Sequence, residues 1–277
     1  MTDPNSYITM AIRANPLREP MLREAIHALK LSPGSQGLDA GCGIGLQALL
    51  LAEAVGPTGH VTGLDISREF LLYAKNIVES SPLSGRITFK EGDLNKLPFD
   101  DNTFDWIWSV DCVGYPTEEN PLSTLKELAR VVKPGGSVAI LGWSSQMLLP
   151  GHPLLEARLN ATCSSYIPYV KGKKPESNFL SALGWFRELG LEDLTTRTFV
   201  DEINAPLSDD IRTALISFFE MLWGELQPEV SEEDWAEYQR LCNPDSPDFI
   251  LDRQDYYAFY TYSMFQGRIP GGSNDYG

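Results

Sequence analysis

The sequence predicts an α/β fold: a mostly parallel sheet with helices on both faces and a helical insertion ahead of the last strand. Three observations predict it. Between residues 35 and 143, short apolar runs alternate with segments of helical period, as in strands joined by crossover helices. The first apolar run ends on a turn with glycines at 41, 43 and 45 that leads directly into Leu46–Val55, apolar at helical spacing. A second run, His60–Ile66, delivers an aspartate, Asp65, twenty positions beyond Gly45.

Taken in order, residues 17–30 read as an amphipathic helix with Leu17, Met21, Ala25 or Ile26 and Leu29 on one face, part of an N-terminal helical cap over about 1–30. Strands follow at 35–39, 60–66, 86–91, 104–110 and 136–143, and helices at 46–55, 68–80 and 121–132. Right-handed crossovers narrow the possible topologies. Beyond Trp143, residues 144–151 read as a loop and 154–164 as a short helix, while Pro168, Gly172 and Pro175 favour irregular structure over 166–177. A helix at 180–189 and a sixth strand at 194–203 come next. The insertion occupies about 205–253. Its first helix opens on Ser208-Asp-Asp and carries Ile211, Leu215, Phe218, Leu222 and Leu226 on one face. Its second opens on Ser231-Glu-Glu-Asp234, carries Trp235, Tyr238 and Leu241, and is broken by Pro244–Pro247. Tyr256–Phe265, rich in aromatic residues, is the final strand, and the glycine-rich tail from 271 is expected to fray. The whole chain, 1–277, is expected to be one domain.

Composition narrows the function classes. The 22 basic and 38 acidic residues give a net charge of −16, and since a nucleic-acid partner normally calls for a basic track to neutralise phosphates, none is expected. The four cysteines lack C-x-x-C spacing, so neither a metal site nor a disulfide framework is expected. There is no run of about 18 apolar residues and no signal-peptide pattern at the start, so a cytoplasmic protein without a membrane span is expected. Either a monomer or a homodimer is compatible with the exposed apolar faces that the insertion can supply.

The glycine turn permits positive φ and close approach of a ligand to the backbone, and the amides opening the next helix favour an anionic group. An acid at the mouth of the second strand suits a ribose diol. A dinucleotide fingerprint needs a third glycine at 46, where Leu46 stands. The run Asp39-Ala-Gly-Cys-Gly-Ile-Gly45 resembles motif I of the class I S-adenosylmethionine (SAM) dependent methyltransferases. The likeness extends in order through Asp65-Ile66, Arg86–Leu94, Leu97–Asp111 and Leu125–Gly136, covering about residues 30–145. It is nearest to the small-molecule subgroup that includes quinone, sterol and natural-product methyltransferases.

The resemblance implies a Rossmann-like seven-stranded sheet of order 3-2-1-4-5-7-6 and the cofactor SAM, with S-adenosylhomocysteine as product. It implies roles for Asp39 at the cofactor's amino group, Gly41, Gly43 and Gly45 in backbone approach, and Asp65 on the ribose. Asp93 would take the adenine amino group, Ile66 and Leu94 would sandwich the ring, and backbone at Ser109 and Val110 would meet the methionine end. The acceptor would be a small molecule, methylated at O, N or C by in-line displacement. Asp111 and His152 are the candidate catalytic residues, His152 because it can act as a base near neutral pH. Tyr7, Tyr115 and Trp143 are candidate substrate contacts, with Arg13 beside Tyr7 in an irregular N-terminus. Two other readings stay open: a SAM-binding regulatory protein without transfer chemistry, and a nicotinamide-dependent oxidoreductase.

Overall fold

A computed structural model describes residues 4–114, 121–162, 175–225 and 227–271. Seven strands form one sheet in the order β3-β2-β1-β4-β5-β7-β6: β1 Gln36–Ala40, β2 His60–Asp65, β3 Ile87–Glu91, β4 Phe104–Val110, β5 Val132–Met147, β6 Glu192–Asn204 and β7 Tyr257–Arg268. The pairings β1–β2, β1–β4, β2–β3 and β4–β5 are all parallel. The helices are α1 Pro4–Ala28, α2 Leu46–Ala54, α3 Arg68–Glu79, α4 Pro121–Arg130, α5 Pro153–Asn160, α6 Ala182–Glu188, α7 Asp209–Trp223 and α8 Glu232–Cys242. The strand order is the one that the resemblance implies.

The chain divides into two compact units. One comprises Leu22–Gly142, Glu176–Phe199 and Ser263–Gly277. Its core gathers Leu38, Leu64, Ile107, Leu128, Val138, Ile140 and Phe186, all essentially inaccessible. β1 and β4 are buried along nearly their whole length, mostly through apolar residues, with Asp39 and Ser109 as buried polar exceptions. Trp106 and Trp108 keep their indole N–H groups satisfied there, donating to Ser35 Oγ at 2.9 Å and to Gln47 Oε1 at 2.7 Å. α3 is fixed at its start by Ser67, whose hydroxyl accepts from the Phe70 amide, and it buries Leu71, Ala74 and Val78.

The other unit comprises Met1–Met21, Trp143–Pro175 and Val200–Tyr262. α7 and α8 are capped by Ser208 and Ser231, each hydroxyl accepting an amide three residues on, with acidic first turns. Phe218, Phe219, Trp223, Tyr238, Tyr256 and Tyr260 are buried. Trp143 stacks between Phe218 and Tyr260, with centroids 5.0 and 4.8 Å away.

Two elements depart from the sequence reading. α1 begins at Pro4 rather than 17, so Tyr7 and Arg13 lie on a helix and not in an irregular segment. Pro16 and Pro20 sit inside it. Being four residues apart, they remove their donors on the same helix face, and the remaining faces keep their bonds. β5 is also longer than 136–143 at both ends. Its start absorbs Pro134-Gly-Gly in a bulge, since Phe104 pairs with Val132 but Trp106 with Ser137. Its far end continues to Met147 where a loop is expected, because Ser144 and Thr261 bond through their hydroxyls at 2.8 Å and Thr261 also donates to the Ser145 carbonyl.

Candidate functional site

β1 and β2 run parallel in a register that sets Asp39 opposite Gly63 and Ala40 opposite Leu64. Both strands end at the same edge, and the turn after β1 hangs on β2: Gly41 and Cys42 both donate to the Leu64 carbonyl, at 2.8 and 2.9 Å. The turn therefore rests directly beside Asp65. Asp65 fastens it further, accepting from the Gly43 amide at 2.8 Å through one oxygen and from the Ser67 amide at 2.8 Å through the other. Each oxygen retains a lone pair for a second donor. Burial raises the Asp65 carboxyl above its ordinary range, although its backbone hydrogen bonds pull the other way.

The three glycines of the turn have φ of +81°, +52° and +79°. At Gly43 a Cβ would meet nothing within 4 Å, so the turn opens onto free space at that point. At Gly45 a Cβ would lie 2.8 Å from Ala74 Cβ and 2.9 Å from Phe89 Cζ; this glycine serves the packing of α2 on α3 and β3. Gly41 faces Cys112, whose Sγ would stand 2.3 Å from a Cβ there.

Asp39 is 2 % exposed, and its Oδ2 has no hydrogen-bond partner. A buried polar atom without a partner is costly, and this oxygen could accept from a ligand's donor. Burial first, then the negative charge of Asp65, push this carboxyl up to about 8. The same surroundings raise the thiols of Cys42 and Cys112, again through burial first, which makes both inert rather than nucleophilic.

The other predicted residues fall around this turn or away from it. Ile66 follows Asp65 with 71 % of its surface exposed, an apolar face without cover. Leu94 packs partly against the core, and its Cδ1 would lie 3.8 Å from a Cβ at Gly41. Asp93 is exposed and forms a turn, one oxygen accepting the Asn95 amide at 2.8 Å and its side-chain nitrogen at 3.1 Å. Ser109 donates its hydroxyl to the Ala40 carbonyl at 2.8 Å and Val110 is buried, which leaves only their backbone for a ligand. Asp111 follows β4 with φ +53°, a left-handed conformation sparsely used by non-glycine residues.

Tyr7, Trp143 and His152 belong to the second unit. Tyr7 is 38 % exposed on α1. The Trp143 indole donates to Gln146 Oε1 and is enclosed by its aromatic neighbours. His152 precedes α5, its Nδ1 3.4 Å from Glu237 Oε1, in a cavity of about 660 Å³ between α5 and α8. Tyr115 lies outside the described residues. Sequence reasoning gave no site role to Cys112 or Ser67. Ser67 carries a readable signal, a serine just ahead of a helical run; the approach of Cys112 to Gly41 spans 71 positions and has none.

Among the described residues, no cluster of His, Cys, Asp or Glu could hold a metal ion, and no helix is long and apolar enough to cross a membrane. The residues present could hold an adenosine-type cofactor with a cationic end: an orphaned buried carboxylate oxygen, open space over Gly43, a carboxylate at the strand end fastened to the turn and an uncovered apolar side chain beside it.

Residues 38–136 match a family described as a methyltransferase domain. A demethylmenaquinone methyltransferase of Bacillus cereus is 38% identical over 129 residues, which are 46% of this chain and 52% of that protein. The chain thus spans about half the length of the curated relatives it matches. Among solved structures, a SAM dependent methyltransferase from Aquifex aeolicus covers 97% of this chain and 100% of its own at 18% identity, with a TM-score of 0.53. The [4+2]-cyclase SpnF shares the fold with a TM-score of 0.55 at 22% identity, covering 91% of this chain and 81% of its own. Glycine turn and strand order accompany the matched segment: residues 38–136 are similar to a methyltransferase domain.

Proposed function

We propose that the protein is an enzyme that moves the methyl group of SAM to a small-molecule acceptor by in-line displacement. The observation that carries this reading is the buried, unpartnered oxygen of Asp39 beneath a turn that is open at Gly43. In this reading Asp39 receives the cofactor's amino group, Asp65 the ribose hydroxyls, and Asp93 the adenine amino group. Ile66 and Leu94 flank the ring, Gly41, Gly43 and Gly45 shape the approach, and backbone at Ser109 and Val110 lines the methionine end. The cofactor supplies an activated methyl on a sulfonium, so the protein's part is alignment and exclusion of water. Asp111 and His152 are the proposed groups for holding or removing an acceptor proton, and Tyr7, Tyr115 and Trp143 the proposed acceptor contacts. A cytoplasmic location without nucleic-acid partners accompanies the reading, as does a monomer or homodimer.

The Bacillus cereus relative is named a demethylmenaquinone methyltransferase, and on that likeness an apolar, ring-bearing acceptor is proposed. The test is transfer of label from methyl-labelled SAM to a demethylated quinol and to a fractionated metabolite extract. Labelled product supports the enzyme. A folded preparation that binds SAM and labels nothing favours the regulatory reading, and the cyclase on the same fold is a reason to run that control. Asp65→Ala is expected to weaken SAM binding by roughly 1.5 to 3 kcal/mol, the worth of a charge-assisted hydrogen bond, measured by calorimetry on a variant with unaltered unfolding cooperativity. Unchanged affinity would remove Asp65 from the site.

A further inference from the structure

Asp39 and Asp65 stand on either side of the glycine turn, and their situations differ in a way that matters. Asp65 is held as an acceptor by two backbone amides, from Gly43 and Ser67. Asp39 is more deeply buried, and its Oδ2 accepts nothing. Its register partners carry no charge: they are Gly63 on β2 and Trp108 on β4. On α2, Gln47 carries no charge, and its Oε1 accepts from the Trp108 indole. The titratable groups that act on Asp39 or feel it are Asp65 at the end of β2, Cys42 in the turn and Cys112 beyond β4, next to Asp111. All of these are acids, and among the described residues no lysine, arginine or histidine pairs with Asp39. A carboxylate so placed has neither solvent nor a counter-charge to stabilise its ionised form.

We propose that Asp39 carries a proton in the ligand-free protein and releases it to solvent when the cationic amino-acid end of the cofactor takes that proton's place, so that this residue reads the charge of the ligand. The inference rests on the proposed SAM site. The step balances: the carboxylic acid becomes a carboxylate, the proton goes to buffer, and the arriving ammonium becomes the counter-ion.

The test is calorimetric titration of the full chain with SAM, without acceptor, at pH 7 in two buffers of different ionisation enthalpy. With the Asp39 carboxyl at about 8 in the free protein, Asp39 gives up about 0.9 of a proton per SAM bound, and with about 0.1 to 0.2 taken up by the ligand's α-amino group the net release is about 0.7 to 0.8. The dissociation constant should fall about tenfold from pH 6 to pH 7, a range in which an α-amino group with a pKa of about 7.7 to 8.0 keeps most of its charge. Methylthioadenosine, which keeps the ribose and base and lacks the amino-acid end, should bind with no proton release and a flat pH profile. Asp39→Asn, if its unfolding curve shows it folded, should bind SAM without releasing a proton.

The outcomes separate cleanly. SAM bound with no proton exchange overturns the inference and leaves the function standing. Equal release with methylthioadenosine moves the proton to Asp65 or another group and overturns it too. Failure of SAM to bind at all overturns the proposed function itself.

Discussion

At Gly43 and Gly45 one added methyl group has two different fates. A Cβ at 43 enters open space, while one at 45 runs into Ala74 and Phe89. Both positions have positive φ, so alanine costs each about 1 to 2 kcal/mol of backbone strain. Gly45→Ala adds overpacking of a further 1 to 3 kcal/mol or so and should show mainly as a lowered denaturation midpoint. Gly43→Ala should keep most of its stability and lose cofactor affinity, because the methyl occupies the space over the turn. Parallel urea unfolding and SAM titration of the two variants would separate packing from binding. Asp39 gives a prediction that needs no ligand. Its carboxyl titrates at about 8 when folded, against 3.8 when freed from the fold. Between those values the folded protein keeps a proton that the unfolded chain has shed, so rising pH lowers stability, by up to about 1.4 kcal/mol per pH unit for a whole proton. Below 3.8 and above about 8 this contribution is level. Asp39→Asn abolishes it, so urea denaturation at pH 5 and pH 7 should find the variant gaining on the parent by about 1 kcal/mol or more as the pH rises.

Among the elements, α5 is tied to the end of β5 by a single carboxylate. Glu156 is 1 % exposed and accepts from the Leu148 amide at 2.8 and 3.0 Å and from the Leu149 amide at 2.9 Å. Glu156→Gln keeps the shape but turns an NH₂ toward an amide donor. It should cost about 1 to 3 kcal/mol in chemical denaturation, the penalty of an unsatisfied buried donor. Elements such as this divide what a sequence can show from what it cannot. From β1 to the centre of β5 the alternation of period announces strands and helices, since each buries a face of its own. The full extents of α1 and β5 are not legible in that way. α1 runs through Pro16 and Pro20 because their missing bonds share a face, and β5 reaches Met147 because Thr261, more than a hundred positions later, bonds to Ser144 and Ser145. The site divides likewise. Asp39, Asp65 and the glycines are a local pattern, whereas the unpaired Asp39 oxygen and the approach of Cys112 to Gly41 exist only once distant strands meet.

For the whole molecule, a charge of −16 is a standing cost, because like charges on a compact chain repel. Salt at about 0.15 M shortens the range of that repulsion to about 8 Å. Raising sodium chloride from about 20 to about 200 mM should therefore raise the thermal midpoint by a few degrees, followed by circular dichroism with pH held constant. A fall in the midpoint would mean that the surface pairs, such as Arg23–Glu53 at 2.6 Å, outweigh the repulsion. That formal charge counts Asp39 as ionised, and with its proton in place the ligand-free protein is less negative by one. SAM carries a carboxylate, an ammonium and a sulfonium, a net charge of one positive. If the proton leaves as SAM enters, the complex has the charge of the empty protein, and the buried carboxyl has served as a cation exchanger. S-adenosylhomocysteine, with no sulfonium, would leave the complex one charge more negative, so substrate-loaded and product-loaded protein should migrate differently in an electric field.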